Sequence, residues 1–135
     1  MSAAVAVERL SAAFAARDVA AALACFLPDQ EIGYAGSEHG ESATGRIAVE
    51  SLLKDVFARA EAYSWTVRST TVHLNGAAAY VFAEVDGLVT GDDGELTAFP
   101  YRISGLLEAA GDDWLWRHCQ GCEPVQPPAS AQVLT

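Results

Sequence analysis

The chain has 135 residues, of which 51% are hydrophobic and 19% are charged, and this composition is typical of one folded domain. Eighteen acidic residues oppose eight basic ones, so the net charge is −10. Because clustered cations are needed to bind phosphate groups, this balance predicts neither a nucleic-acid partner nor an anionic membrane partner.

The N-terminal segment is rich in alanine and valine, but Glu8 and Arg9 interrupt its apolar run. These charges favour an amphipathic helix over a secretion signal. No stretch approaches the length of a membrane-spanning helix, and three cysteines provide no disulfide framework. We therefore expect a cytoplasmic protein.

Apolar residues at spacings of three and four predict three helices. The first spans residues 3–17. Asp18 is a suitable N-cap for a short second helix, which Pro28 follows. The third helix spans residues 46–60 and has the clearest apolar stripe.

The remaining elements are predicted strands, because the apolar period changes to two after Ala62. Asn75-Gly76 predicts a tight hairpin turn, and "TGDDGE" and "AGDD" predict two more. A short strand at 31–35 precedes the third helix, and the later strands are expected at 64–74, 77–89, 95–109 and 114–123. Helices at one end of the chain and an antiparallel meander at the other predict an α+β fold.

Residues 1–124 are expected to form this single domain, and residues 125–135 a proline-rich C-terminal tail. The strands predicted at 77–89 and 95–109 carry apolar residues on both faces. A sheet covered by helices on one side should have one wet face. We therefore expect a second copy of the chain to cover the outer face of the sheet, forming a homodimer.

Three stretches resemble the nuclear transport factor 2-like, or SnoaL-like, superfamily. "FAARDVAAALACFLPDQEI" resembles its first two helices, "GRIAVESLL" the opening of its third helix, and "YRISGLLEAAGDDWLWRHCQGCEP" its final hairpin. The resemblance implies a cystatin-like cone, in which three N-terminal helices pack in the concave face of a strongly curved, mainly antiparallel sheet. It also implies an enclosed pocket and, commonly, a homodimer through the outer face.

The chain departs from the catalytic members of the superfamily at two places. The first strand offers Gly33 or Tyr34 where the isomerase-like members have an aspartate base. The C-terminal strand has Gln120 and Cys122 where a His-x-Ser-x-Pro-like end has its histidine and serine. The resemblance therefore does not predict the isomerase mechanism for this chain.

The segment "DDWLWRHCQGCEPV" contains most of the candidate chemistry. Strict alternation along a strand places one set of side chains on a common face, which the resemblance turns inward: Trp114, Trp116, His118, Gln120 and Cys122. His118 is then either a proton acceptor or a buried core histidine. Cys119 and Cys122 point to opposite faces, which predicts structural thiols and neither a disulfide nor a metal site.

Glu84 and Arg102 lie mid-strand in neighbouring strands, where they form either an orienting ion pair or part of an acid–base site. Three tyrosines are candidate hydrogen-bond donors to a ligand oxygen: Tyr34, Tyr80 and Tyr101. Catalytic roles are thus predicted for His118 and Glu84. Ligand contacts are predicted for the remaining candidates: Tyr34, Trp65, Tyr101, Arg102, Trp116 and Gln120.

Three functions remain open at this point. The first is a pocket protein that binds a small apolar molecule, and the second is an acid–base isomerase, cyclase or dehydratase. The third is a dimerisation module whose cone is filled by side chains. No metal ligand set and no cofactor motif is found, so no cofactor is predicted.

Overall fold

The computed structural model describes residues 2–125, so the predicted tail lies outside the described residues from position 126 onward. The three predicted helices and the predicted strands are present, and the structure adds one short strand, β2, inside the region predicted as a polar loop. The elements in chain order are α1 Val5–Ala16, α2 Val19–Ala24, β1 Gly33–Ala35, β2 Ser42–Thr44, α3 Arg46–Phe57, β3 Ala62–Asn75, β4 Ala78–Thr90, β5 Leu96–Ala110 and β6 Asp113–Cys122.

The break between α1 and α2 takes only two residues. Arg17 ends α1 in the left-handed conformation, with φ at 53°. Asp18 is the N-cap of α2, as predicted, and its carboxylate accepts a hydrogen bond of 3.0 Å from the backbone N–H of Ala21. The apolar stripe of α1 continues into the core through Val7, Leu10 and Phe14.

The six strands form one mixed sheet in the order β2-β1-β6-β5-β4-β3. Every neighbouring pair is antiparallel except β1 and β6, which run parallel. The β3–β4 hairpin closes at Gly76, whose φ of 61° suits the predicted Asn-Gly turn. The α+β prediction is confirmed.

One face of the sheet packs on the helices and forms the core, and we call it the inner face. In β4 the odd-numbered residues from Ala79 to Val85 are buried on this face, while the even-numbered residues face outward. Ile103 and Leu107 of β5 continue the same inner surface. The sheet therefore has an outer face that the described helices do not cover.

A β-bulge at Arg117 reverses the alternation within β6. Leu107 of β5 pairs with Trp116, whereas Leu106 pairs with His118, so Arg117 is the extra residue. Trp116 is fully buried on the inner face, but two positions further His118 is exposed. The prediction that residues 114–122 keep one inward face is therefore wrong beyond the bulge.

The bulged residue is tied to its surroundings by charged hydrogen bonds. The guanidinium of Arg117 donates to Glu108 at 2.9 and 3.0 Å, to Asp29 at 2.6 Å and to the carbonyl of Glu31 at 2.7 Å. These bonds from Arg117 lower the pKa of both the Asp29 and the Glu108 carboxyls. The loop that leads into β1 is thus held at the point where β6 changes phase.

Trp116 is the largest fully buried side chain. Its backbone N–H donates to the carbonyl of Cys25 and its carbonyl accepts from Leu27, which attaches the end of α2 to β6. Its indole N–H donates to the carbonyl of Ala6 at 3.4 Å. The residue is therefore part of the core.

Across residues 2–125, no helix is both long enough and apolar enough to cross a membrane.

Candidate functional site

A cavity of about 320 Å³ lies between the helices and the inner face of the sheet. This volume is at the small end of the range for ligand pockets. Its walls include six aromatic rings, contributed by α1, β1, β3 and β5: Phe14, Tyr34, Tyr63, Trp65, Phe99 and Tyr101.

Phe14 of α1 is the centre of the aromatic wall. Its ring lies 5.9 Å from that of Tyr34, 5.0 Å from Phe57 and 5.1 Å from Trp65, measured between centroids. These tilted and edge-on arrangements are the ones that aromatic pairs prefer. These contacts hold the ring of Phe14 between β1, β3 and α3.

Trp65 is held against α1 by three hydrogen bonds. Its indole N–H donates to the carbonyl of Val7 at 3.0 Å. The hydroxyl of the buried Ser11 accepts from the backbone N–H of Trp65 at 2.8 Å and donates to its carbonyl at 2.7 Å. Because the indole donor already has a partner, Trp65 offers the cavity its ring surface.

Two glycines of the sheet make room for the rings of β5. A Cβ on Gly87 would lie 2.5 Å from two ring carbons of Phe99, its direct partner across β4 and β5. A Cβ on Gly121 would lie 2.5 Å from Cε2 of Tyr101. Phe99 and Tyr101 therefore lie flat over glycine, and they contact each other edge-on at 5.7 Å.

The hydroxyls of Tyr34 and Tyr101 stay protonated at neutral pH. Burial raises the pKa of Tyr34 well above its ordinary value. Burial also raises the pKa of Tyr101 to about 12, although a hydrogen bond with Ser37 acts in the opposite direction. Both hydroxyls are therefore available as neutral hydrogen-bond donors.

The mouth of the cavity is formed by the loop between β1 and β2 and by the end of α3. The carboxylate of Glu41 accepts a bond of 2.9 Å from the backbone N–H of Glu38 and pairs with Arg59 at 3.1 Å. Its side chain is only 13% exposed. Burial alone would lower the pKa of Arg59, but hydrogen bonds with Tyr63 and Glu41 outweigh it and raise that pKa.

Comparison with protein families assigns the fold. The model of the SnoaL-like domain matches residues 4–126, which is almost the whole chain. The chain belongs to the SnoaL-like domain family. No curated protein matches it by sequence.

Solved structures with the same fold carry different names. A candidate dehydratase of the nuclear transport factor 2-like family from Streptomyces avermitilis is 14% identical, with 91% of this chain and 94% of that chain covered and a TM-score of 0.78. A candidate scytalone dehydratase from Novosphingobium aromaticivorans is 12% identical, with 85% of this chain and 76% of that chain covered and a TM-score of 0.70. A candidate calcium/calmodulin-dependent protein kinase type II association domain from Thiobacillus denitrificans is 18% identical, with 92% of this chain and 96% of that chain covered and a TM-score of 0.73. At such identities the similarity shows the fold alone.

In this SnoaL-like domain, three of the predicted ligand-contact residues line the cavity: Tyr34, Trp65 and Tyr101. Trp116 does not, because it is fully enclosed in the core beneath α1. The cone is not filled by side chains at the end where these three residues meet.

The other predicted site residues lie on the outer face. Glu84 and Arg102 are direct cross-strand partners, and their side chains form an ion pair of 3.3 Å on that face. The bulge at Arg117 turns His118 and Gln120 outward, and a Cβ on Gly33 of the neighbouring strand would lie 2.5 Å from Cδ2 of His118. The inward placement predicted for His118 and Gln120 is wrong. Of the two alternatives for Glu84 and Arg102, the structure has the ion pair, outside the cavity.

The cavity also has four lining residues that were not predicted from the sequence: Glu41, Arg59, Tyr63 and Phe99. Glu41 lies in a polar loop and Arg59 just beyond a helix, so each has the sequence signature of an ordinary surface charge. Only the folding of the β1–β2 loop onto α3 brings them together. A signal for Phe99 was available, because Gly87 stands in the middle of a strand where a close approach is the usual reason for glycine.

The cysteines are thiols on different sides of the structure. Cys25 and Cys119 are buried, and burial raises the pKa of both, whereas Cys122 is exposed. Cys119 and Cys122 thus point to opposite faces, as predicted. Among residues 2–125 no group of three histidine, cysteine or acidic side chains could hold a metal ion.

Proposed function

We propose that this SnoaL-like domain binds a small, mainly aromatic molecule in the cavity between its helices and its sheet. The supporting observation is an open volume of about 320 Å³ with six aromatic rings in its walls. Apolar walls with few, convergent polar groups are typical of small-molecule sites.

The polar groups of the cavity suggest how such a molecule is oriented. Tyr34 and Tyr101 both carry a hydroxyl whose pKa is raised by burial. A buried neutral donor favours a ligand with a carbonyl or hydroxyl oxygen as the acceptor. The expected ligand therefore has an apolar ring body and at least one oxygen.

A thermal-shift screen with aromatic polyketide-like compounds, terpenoids and steroids tests this proposal. A compound that binds only the native state at a hundredfold excess over its Kd adds about 2.7 kcal/mol of stability and raises Tm. Val89→Phe, which places a ring in the cavity, should abolish the shift. Leu88→Phe changes the next residue of β4, which faces outward, and should keep it.

If no compound shifts Tm, or if both variants lose the shift equally, the cavity is not the binding site. The absence of any hit, together with a dimer that persists on dilution, would favour the dimerisation module instead.

A second candidate function is proton transfer on a small carbonyl or hydroxyl compound. It is supported by the placement of the Glu41 carboxylate in the same cavity as the tyrosine hydroxyls. A carboxylate can accept a proton while a phenol donates to the developing oxyanion. Two neighbours of the same fold are named as candidate dehydratases, which agrees with this class of chemistry.

The test incubates each screening hit with the protein in D₂O and follows deuterium uptake or loss of water by mass spectrometry. Glu41→Gln should abolish the reaction but keep the thermal shift, and Tyr101→Phe should slow it. Glu84→Gln, on the outer face, is the matched control. Turnover that survives in Glu41→Gln would exclude this role.

We also propose that the outer face of the sheet joins two copies of the chain. Tyr80 is 47% exposed there, beside its ladder partner Leu106, which is also exposed. In the middle of the face every cation is paired with an acid on the neighbouring strand: Arg68 with Asp86, Arg102 with Glu84 and Arg117 with Glu108. These pairs leave that region neutral although the chain carries −10, so two copies can approach there with little repulsion.

Sedimentation equilibrium measures this association. Tyr80→Glu should shift the protein toward the monomer, because it places a charge against the partner. Ile47→Glu is the control, since Ile47 is 82% exposed on α3 and is not part of any strand of the outer face. A wild-type protein that sediments as a monomer at all concentrations would contradict the proposal.

A further inference from the structure

The charges at the mouth of the cavity are unequal. The lining residues include three glutamates, Glu38, Glu41 and Glu123, and a single cation, Arg59. Three negative charges against one positive charge leave a net charge of −2 at the mouth. A low-dielectric cavity concentrates the field of charges at its opening, so this imbalance acts on any ligand that enters.

Arg59, the one cation among the described lining residues, already forms ion pairs with glutamates of the mouth. Arg59 pairs with Glu41 at 3.1 Å, and the same guanidinium group lies 3.9 Å from Glu38. Glu41 is held in turn by the backbone N–H of Glu38. An anionic ligand would have to displace these contacts before it could use Arg59, and it would meet the two remaining carboxylates first.

The remaining carboxylates are accessible to a ligand. The side chain of Glu38 is 68% exposed, and Glu123 is exposed just after the end of β6. Both lie at the rim of the same volume that the aromatic rings enclose. Ring faces attract a cation through their quadrupole. The aromatic walls and the carboxylates of the rim therefore both favour a positively charged ligand.

We infer that the cavity selects ligands whose aromatic body carries a protonated amine directed toward the mouth, and that it discriminates against the corresponding carboxylates. This inference rests on the proposed function, because it assigns a ligand class to the same cavity. The aromatic rings contact the body of the ligand, and Glu38 and Glu123 determine the preferred sign of its charge.

Three probes that share one ring system test the inference by isothermal titration calorimetry at pH 7 and 0.15 M salt: 2-(6-hydroxy-2-naphthyl)ethylamine, 2-(6-hydroxy-2-naphthyl)ethanol and 6-hydroxy-2-naphthylacetate. Each has the same ring hydroxyl as an acceptor for a tyrosine of the cavity, so only the charge of the side arm differs. At this ionic strength charges beyond about 8 Å are largely screened, so the net charge of the whole chain contributes little. We expect the amine to bind tightest and the carboxylate weakest. A unit charge about 6 Å from each rim carboxylate in a water-like to intermediate medium predicts a gap of about tenfold or more between the two.

Variants locate the source of the discrimination. Glu38→Gln and Glu123→Gln should each narrow the ratio of amine to carboxylate affinity by about threefold or more, with little change in the affinity for the alcohol. Glu50→Gln removes the same charge on α3, where Glu50 pairs with Lys54 and does not line the cavity, and should leave the ratio unchanged.

The possible results separate the two proposals. Binding of the alcohol with no ranking by charge, or tighter binding of the carboxylate, overturns the charge selectivity and leaves the binding cavity in place. A ratio that Glu38→Gln and Glu123→Gln do not change also overturns it. Failure of all three probes to bind, in a protein that melts cooperatively, counts against the inference and against an aromatic-ligand cavity together.

Discussion

The contact between Gly87 and Phe99 predicts that the substitution Gly87→Ala lowers the free energy of unfolding when Phe99 is present and raises it when Phe99 is absent. In β4 the backbone of Gly87 is extended, so alanine is permitted there by conformation. Its Cβ, however, would lie 2.5 Å from Cε2 and Cζ of Phe99 and 3.0 Å from Cδ2. Carbon atoms in contact prefer about 3.5–4.0 Å, so the ring must move by about 1 Å. We expect Gly87→Ala to cost about 1–3 kcal/mol of unfolding free energy.

The same substitution should become favourable once the ring is absent. In a Phe99→Ala background, Gly87→Ala is expected to stabilise the protein by about 0.4–1 kcal/mol, since alanine restricts the unfolded chain more than glycine does. The coupling free energy is therefore about 2 kcal/mol. Urea unfolding of the two single variants, the double variant and the wild type measures it. Equal destabilisation in both backgrounds would refute the argument, because the cost would then come from the backbone of β4.

Three further predictions concern titratable groups. Arg117 lowers the pKa of the Asp29 and Glu108 carboxyls, so these groups contribute stability that is lost as they are protonated below about pH 4. In Arg117→Gln the free energy of unfolding, measured with urea, should therefore fall less steeply below that pH. An unchanged dependence on pH in this variant would contradict the prediction. Tyr101 is neutral in the folded state up to its pKa of about 12, whereas the unfolded chain ionises near pH 10. Stability should therefore fall as pH rises from about 10 to about 12, and less so in Tyr101→Phe. A thiol reagent should label one cysteine per native chain, Cys122, and should reach Cys25 and Cys119 only in denaturant; rapid native labelling of three thiols would show that their burial is not maintained.

Local rules were sufficient for every element except the short strand β2, and for the order of the others. The apolar stripe of α1 and the carboxylate of Asp18 act within a few residues, and the Asn75-Gly76 turn depends on the conformational freedom of adjacent residues. Interactions of this range are visible in the sequence itself. The fold class and the family resemblance, which depend on the order of elements, were correct for the same reason.

Interactions between residues close in sequence could not predict the face on which each side chain of β6 lies. Alternation with a period of two holds only while the strand is regular, and one inserted residue at Arg117 moves every later side chain to the opposite face. The bulge is held by Asp29 and Glu108, which are far from each other in sequence. His118 therefore left the predicted site because of contacts that its neighbours in sequence do not reveal.

The composition of the cavity is likewise a property of the tertiary structure. The sequence by itself determined that rings such as Tyr34 and Tyr101 occur on strands of a covered sheet, since strand pattern and hydrophobicity are local. The pairing of Glu41 with Arg59, and the open volume beside them, result from the folding of the β1–β2 loop against the end of α3. A cavity is the space that elements distant in sequence leave between them, so its walls and its charge are decided only when those elements pack.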